Sequence, residues 1–277
     1  MLGDCHMHMV LDGIDWRASI GRGVEDGFIR KSLQTYRELG YGYLRDGGDR
    51  FGVGKRAREL AEEYGITYRT PLAPLHKVGH YGGFIGTGFA DCREFAQLVS
   101  KARSHGADFI KIMISGLMDF DRFGVLTEEP LSDGEIRELI HVAHEEGFAV
   151  MVHCNGAGAI RAAAAAGVES VEHGAYADGE ALAAMAEMGT VWVPTLSTIG
   201  NLLGKGRFDD GAVRKILDCA MENVWKFVDL GGIVAAGSDA GAWAVPHGCH
   251  TESHWLAQCG VDDEMQQAGL GRIMEKF

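Results

Sequence analysis

The sequence alternates short apolar segments with amphipathic helical segments, and glycine closes most of the helical ones. The strongest apolar segment, 109–114, follows a predicted helix over 91–104 and the turn residue Gly106. The same reading along the chain predicts eight strands, at about 4–10, 41–44, 67–75, 109–114, 149–153, 168–173, 190–194 and 233–236. Strands that alternate with helices are typical of a parallel sheet with helical crossovers. We therefore predict an α/β fold, specifically a (β/α)₈ TIM barrel.

No linker or change in composition divides the chain. Its 277 residues agree with the size of about 250 residues that is usual for such a barrel. We therefore predict a single domain over residues 1–277, with a helical segment at about 251–276 after the last strand. Ser132, with Glu135 three residues later, has the pattern of a capping box and predicts where one helix begins.

The charge and the cysteines restrict the kinds of partner. The formal net charge of −13, with no basic stripe, argues against nucleic acid and anionic membranes. No apolar run approaches the roughly 20 residues of a membrane span, and no signal peptide is recognisable. The six cysteines are scattered without a C-x-x-C pair, which is typical of a reducing compartment. We expect a cytoplasmic protein whose partner is a small molecule.

Polar residues that can bind metals stand at or just after the ends of several apolar strands. His6 and His8 lie two apart on the first strand, so their side chains share a face. Four further residues occupy such positions on later strands: Lys111, His153, His173 and Asp239. In a barrel these strand ends meet at one face. Burying such groups without partners costs several kcal/mol, and a shared divalent metal ion would remove that cost.

Each of these residues also has a simpler interpretation. Lys111 could pair with a neighbouring carboxylate, which would leave a site for one metal ion. His173 could support a ligand without binding metal itself. Asp239, within Gly-Ser-Asp-Ala-Gly, could cap a turn, since aspartate is common in turns.

Taken together, the motifs DCHMH, FIKIMISG, VMVHCNG, VESVEHG and GSDAG resemble the amidohydrolase superfamily of metal-dependent hydrolases. The resemblance is strongest to its imidazolonepropionase-related and Xaa-Pro-dipeptidase-like branch. YLRDGG after the second strand, VPT on the seventh and PHG followed by Glu252 add to it. The resemblance covers about residues 4–252. Each motif is weak alone, but the ordered set is specific.

The resemblance implies a binuclear zinc site, with one or two Zn²⁺ per chain and other divalent metals as alternatives. It assigns the ligands of the first metal to His6, His8 and Asp239 and those of the second to His153 and His173. It implies that Lys111 carries a carbamate that bridges the metals. The implied activity is hydrolysis of an amide or other C–N bond, in a non-peptide, small peptide or cyclic amide. A metal-bridging hydroxide would attack, and Asp239 would shuttle the proton.

Two other functions remain open on the sequence. One is a mononuclear deaminase-like or decarboxylating enzyme of the same superfamily, and the other is a non-catalytic barrel that metal stabilises. Four loop residues are candidates for substrate contact: His80, Tyr81, Arg122 and His247. Arg45 or Arg122 could bind a substrate carboxylate or form a surface ion pair.

Relatives in this superfamily carry a small β-sandwich built from segments on both sides of the barrel. The first predicted strand begins near Met1, and few residues follow Asp239. We therefore expect a barrel without the flanking β-sandwich. Homo-oligomerisation is one way to cover the barrel surface that the sandwich would otherwise protect.

Overall fold

The computed structural model describes all 277 residues as an α/β fold whose strands pair only in parallel. The strands are β1 (Leu2–Met7), β2 (Tyr41–Asp46), β3 (Thr67–Arg69), β4 (Leu75–Lys77), β5 (Thr87–Phe89), β6 (Ile110–Met113), β7 (Val150–Cys154), β8 (Ser170–His173), β9 (Val191–Val193) and β10 (Ile233–Val234). They form a three-stranded sheet, β1-β2-β3, and a seven-stranded sheet in the order β10-β9-β8-β7-β6-β4-β5.

Eleven α-helices connect and cover the strands. They are α1 (Trp16–Arg22), α2 (Asp26–Glu38), α3 (Val53–Ala61), α4 (Cys92–Ser104), α5 (Asp133–Glu145), α6 (Ala157–Ala165), α7 (Gly179–Met188), α8 (Ser197–Gly200), α9 (Asp210–Asp229), α10 (Thr251–Gln258) and α11 (Asp263–Lys276). A 3₁₀ turn at Glu62–Tyr64 extends α3. The predicted helical segment at about 251–276 is thus a pair of helices. None of the helices is long and apolar enough to cross a membrane.

The prediction of eight strands was wrong in one region. The third predicted strand, 67–75, is two strands, β3 and β4, because Pro71 and Pro74 lie between them and proline has no N–H to donate to a sheet. The Gly-rich segment that follows contains the short strand β5, which pairs with β4 from Leu75↔Thr87 to Lys77↔Phe89. Ten strands replace the eight expected.

Backbone hydrogen bonds join the two sheets on both sides. On one side the Cys5 N–H donates to the Ala236 carbonyl at 2.9 Å, and Met7 bridges to Ala240. On the other side the Asp108 N–H donates to the Thr70 carbonyl at 3.0 Å. The carboxyl ends of β1 and of the segment after β10 are therefore held next to each other.

The helices bury one face each against the strands. In α5 the predicted capping box is present, with Ser132 accepting from the Glu135 N–H and Glu135 accepting from the Ser132 N–H. Behind this cap the buried residues follow helical spacing: Ile136, Leu139, Ile140 and Ala143. They belong to the largest apolar cluster, of 41 buried residues, which also contains two side chains of β6 and three of β7, namely Ile110, Ile112, Val150, Val152 and Cys154. This core holds the strand ends in fixed positions.

Candidate metal centre

The six residues that the sequence predicted as metal ligands line a single cavity of about 640 Å³. The cavity lies where the carboxyl ends of the strands meet. His6, Lys111, His153 and His173 lie on strands, His8 comes directly after β1, and Asp239 lies in the segment that follows β10. Parallel pairing of β6, β7 and β8 brings Lys111, His153 and His173 to the same end of the sheet.

His6, His8 and Asp239 form a compact triangle of ligand atoms. The Nε2 atoms of His6 and His8 are 3.4 Å apart. Oδ1 of Asp239 lies 3.6 Å from the first of these atoms and 3.5 Å from the second. A tetrahedral ion with bonds of about 2.1 Å separates its ligand atoms by about 3.4 Å. The triangle therefore has the dimensions of three ligands around one metal ion.

A buried ion pair fixes the orientation of His6. The Nδ1 atom of His6 lies 2.8 Å from Oε2 of Glu172, and Nη2 of Arg45 donates to Oε1 of Glu172 at 2.9 Å. Arg45 and Glu172 are both fully buried. A carboxylate at Nδ1 keeps the proton on that nitrogen, so the lone pair of Nε2 faces the triangle. This is the neutral tautomer that binds a metal ion.

Asp239 lies in a strained turn, and the buried carboxylate of Asp4 is hydrogen-bonded to the residue before it, Ser238. Its backbone lies in the left-handed region, with φ of 55°, and its N–H donates to the His6 carbonyl at 2.7 Å. Asp4 accepts hydrogen bonds from the backbone N–H and the hydroxyl of Ser238, at 2.9 and 2.6 Å. Oδ1 of Asp239 is buried without a hydrogen-bond partner. Burial raises the pKa of this carboxyl.

The second group of residues is His153, His173 and Lys111. The two imidazole rings are 4.6 Å apart between centroids. Nδ1 of His173 is hydrogen-bonded to Oγ1 of Thr195 at 2.7 Å, which leaves Nε2 free. Nε2 of His153 is hydrogen-bonded to the Gly116 carbonyl at 3.1 Å, which leaves Nδ1 free. The backbones of His173 and Thr195 are also left-handed, with φ of 66° and 50°. Each histidine therefore keeps one ring nitrogen without these hydrogen bonds.

Lys111 is buried, and its Nζ atom has no hydrogen-bond partner. Lys111 forms no ion pair with a carboxylate, which removes the structural basis for the simpler interpretation of this residue. Burial lowers the pKa of its ammonium group. An unpartnered buried amine requires an explanation from what the site binds.

The protonation states of the histidines fit metal binding. Burial lowers the pKa of His8 and of His153 to about 3. It also lowers the pKa values of His6 and His173 well below their usual range. The four imidazoles are therefore neutral at pH 7, which is the form that coordinates a metal ion. With the unpartnered Asp239 oxygen, these residues fit a divalent metal.

Of the four residues predicted to contact substrate, Tyr81 alone lines the cavity. Arg122 is 70% exposed and donates to Asp119 at 2.6 Å. His247 is held away from the cavity by the Leu11 carbonyl, 2.9 Å from its Nε2. His80 follows the turn after β4 and lies outside the lining. The structure gives no support for a substrate contact by the last three.

The sequence analysis missed the residues that support the ligands. Arg45 was expected to bind substrate or to lie at the surface, but it is fully buried against Glu172. Glu172 itself was not singled out, although a carboxylate within the otherwise apolar strand β8 must find a partner when buried. Thr195, the partner of His173, lies in the quoted VPT motif but was not singled out as a support.

Comparisons with known proteins agree with this arrangement. Ochratoxinase from Aspergillus niger is 26% identical to this chain over 282 residues, which covers 86% of the chain and 57% of that protein. The crystal structure of a Xaa-Pro dipeptidase has a TM-score of 0.79 at 22% identity, and covers 99% of this chain and 75% of that one. The crystal structure of the A. niger ochratoxinase has a TM-score of 0.73 at 22% identity, and covers 98% and 68%.

The predicted resemblance to the amidohydrolase superfamily, in its Xaa-Pro-dipeptidase-like branch, is confirmed by these similarities. No protein-family model matches the chain. The chain spans a little over half the length of the curated ochratoxinase that it matches.

Proposed function

We propose that this protein is a metal-dependent hydrolase of amide or related C–N bonds. The observation that carries the proposal is the triangle of His6, His8 and Asp239, whose edges of 3.4 to 3.6 Å suit one divalent ion. The similarity to ochratoxinase and to the fold of a Xaa-Pro dipeptidase supports C–N bond hydrolysis as the reaction class.

We further propose that the centre holds two metal ions, with zinc as the preferred ion. His153 and His173 would hold the second ion through their free nitrogens. Lys111 would carry a carbamate that bridges the two ions. Its lowered pKa supports this role, because the neutral amine is the form that reacts with carbon dioxide. A carbamate also replaces a positive charge, which metal ions repel, with an oxygen ligand.

Asp239 moves the proton in the proposed reaction. Bound divalent metals would acidify the attacking water and polarise the scissile carbonyl. Asp239 accepts one proton from that water as the water oxygen bonds to the carbonyl carbon. It then donates this proton to the nitrogen as the C–N bond breaks, so the products are a carboxylic acid and an amine. The raised pKa of Asp239 suits a group that must both accept and release a proton.

Residues 1–277 are proposed to form one (β/α)₈ barrel domain. The hydrogen bonds from Cys5 to Ala236 and from Asp108 to Thr70 support closure, because they join the two sheets on both sides. The similarity to Xaa-Pro dipeptidase over 99% of the chain agrees with this architecture.

The test combines metal content with a panel of amides, dipeptides and lactams. We expect about two zinc ions per chain and hydrolysis of at least one class. Asp239→Asn should reduce kcat by at least about 100-fold, which is the lower end of the loss that is usual when a general acid-base group is removed. Asp229→Asn, an exposed position on α9, is the matched control and should keep full activity. A metal content far below one per chain with no hydrolysis would overturn the proposal.

Lys111→Ala separates the two forms of the centre. In a binuclear enzyme this variant should lose one metal and most of its activity. If it keeps full activity with a single metal, the mononuclear deaminase-like or decarboxylating alternative replaces the binuclear one.

A further inference from the structure

We propose that Glu252 is a positioning residue of the metal centre, which holds the ring of His173 in place by fixing the turn that carries Thr195. The inference rests on the proposed metal-dependent function, in which His173 is a ligand of the second ion. Glu252 is the glutamate that follows PHG in the sequence, and it lies in the first turn of α10, outside the lining of the cavity.

The ring of His173 depends on a single hydrogen bond. Its Nδ1 atom is 2.7 Å from Oγ1 of Thr195, and no other polar group of the chain is hydrogen-bonded to the ring. The main chain of His173 is held separately, because its carbonyl accepts a hydrogen bond from Nε1 of Trp192 at 3.0 Å. If Thr195 moved, the ring would be free to rotate and to exchange its proton between the two nitrogens. The direction of the Nε2 lone pair therefore depends on Thr195.

Thr195 has a backbone conformation that it would not adopt by itself. Its φ of 50° lies in the left-handed region, which is unfavourable for a β-branched residue. Its carbonyl accepts hydrogen bonds from the N–H and the hydroxyl of Thr198, at 3.0 and 2.8 Å. Such a conformation persists only where the surrounding structure holds it. The contacts of the next residues along the chain therefore matter for the position of Thr195.

Glu252 holds the two residues that follow Thr195. Its Oε1 accepts a hydrogen bond from the Leu196 N–H at 3.0 Å, and its Oε2 accepts one from the Ser197 N–H at 2.7 Å. The carboxylate is buried, so water does not compete for these donors, and hydrogen bonds to a charged acceptor are strong. The hydroxyls of Ser197 and Thr251 are also 2.9 Å apart. One carboxylate thus fixes the two peptide groups directly after the turn.

The first experiment measures the two zinc affinities by competition with a chelating dye. Glu252→Gln keeps the size of the side chain but places an N–H donor against one of the two backbone N–H groups. We expect this variant to bind the first ion as wild type does and the second at least about tenfold more weakly. The control Asp262→Asn alters a carboxylate that caps α11 and should change neither affinity. Wild-type affinity at both sites of Glu252→Gln, or an equal loss at both, would overturn the inference.

Variants of Thr195 test whether Glu252 acts through this residue. Thr195→Val removes the hydroxyl and should reproduce the weaker binding of the second ion, whereas Thr195→Ser keeps the hydroxyl and should restore most of the affinity. Adding Glu252→Gln to Thr195→Val should cause little further loss, because the hydrogen bond to His173 is already absent. Two losses that multiply in the double variant would show that Glu252 does not act through Thr195.

A readout without metal separates this inference from the proposed function. Heteronuclear NMR of the metal-free protein reports which ring nitrogen of His173 carries the proton, and His173→Gln identifies the signals. We expect the proton on Nδ1 in wild type and a mixture of both neutral tautomers in Glu252→Gln. That result would support the positioning role even if the chain bound no zinc, whereas an unchanged tautomer would overturn it. If Glu252→Gln does not fold, Glu252→Asp, which keeps the charge on a shorter side chain, should show the same mixture.

Discussion

The ion pair between Arg45 and Glu172 gives the sharpest test of how this site is built. Arg45 donates to Oε1 of Glu172 and to Oγ of Ser170, both at 2.9 Å, and to the Cys5 carbonyl at 2.6 Å. The ring of Phe277 covers its guanidinium at 4.4 Å. Glu172 is the only carboxylate paired with Arg45, and its other oxygen contacts His6. Glu172→Gln keeps the shape and removes this charge.

The expected cost follows from burial. Both side chains are 0% exposed, so either single change leaves a buried charge without its partner, which costs about 3–5 kcal/mol. Arg45→Met leaves the Glu172 carboxylate buried without its cationic partner, and Glu172→Gln leaves the Arg45 guanidinium buried without its anionic partner. The double variant removes both charges. We expect it to be destabilised by at least about 2 kcal/mol less than the sum of the single variants.

Denaturant unfolding of the metal-free proteins measures these free energies. Glu187→Gln, an exposed position on α7, controls for the loss of one negative charge and should change stability by less than about 0.5 kcal/mol. Single-variant costs that add within about 0.5 kcal/mol would contradict the argument, because additivity means that the charges do not depend on each other.

Metal affinity gives a second readout that a purely structural pair would not change. Because Glu172 fixes the tautomer of His6, Glu172→Gln should weaken zinc binding by about 10–100-fold in competition with a chelating dye. Arg45→Met keeps the contact between Glu172 and His6 and should weaken zinc binding less. Equal zinc affinities in Glu172→Gln and wild type would refute the orienting role.

Three further predictions concern the ligands and the fold. A Cβ atom on Gly47 would lie 2.2 Å from Cε1 of His8, so Gly47→Ala should displace that ring and lower zinc affinity at least about tenfold, while the control Gly134→Ala, in open space, should not. Removal of zinc with a chelator should lower Tm by about 5 °C or more, and an unchanged Tm would show that the ligands bind no metal in the folded protein. The hydrogen bond to Glu169 raises the pKa of His144, so its stabilisation is complete below pH 6.5 and is lost as pH rises through the higher folded pKa. The difference in unfolding free energy between wild type and His144→Gln should therefore shrink above pH 6.5, and a difference that grew instead would contradict this sign.

Strands with continuous apolar runs were predictable, whereas short polar ones were not. β6 and β7 lie within the predicted segments 109–114 and 149–153, apart from the last residue of β7, because every residue in them is buried. β4 and β5 have three residues each and stand among prolines and glycines, so their pairing depends on neighbours rather than on local pattern. Segment length limits what periodicity can reveal.

The ligand residues were predictable from the sequence, whereas the residues that support them were not. Each predicted ligand is a polar residue within an apolar strand or in the segment that follows it, and parallel strands bring their carboxyl ends together. The supports act across the sheet instead. Arg45 of β2 reaches Glu172 of β8, and Asp4 of β1 reaches Ser238 after β10. Contacts of this kind depend on the order of the strands in the sheets and on backbone conformations such as that of Asp239. Neither can be read from the local pattern of one sequence.

The contact between β1 and the segment after β10 has a consequence for synthesis of the chain. Asp4 and Ser238 are 234 positions apart, so the hydrogen bonds that they share cannot form until nearly the whole described chain has left the ribosome. Until then one edge of β1 lacks its partners, because Cys5 later bonds to Ala236 and Met7 later bridges to Ala240. That open edge can pair with other strands. We expect nascent chains that stop before residue 236 to bind chaperones and to aggregate, and the last segment to release them.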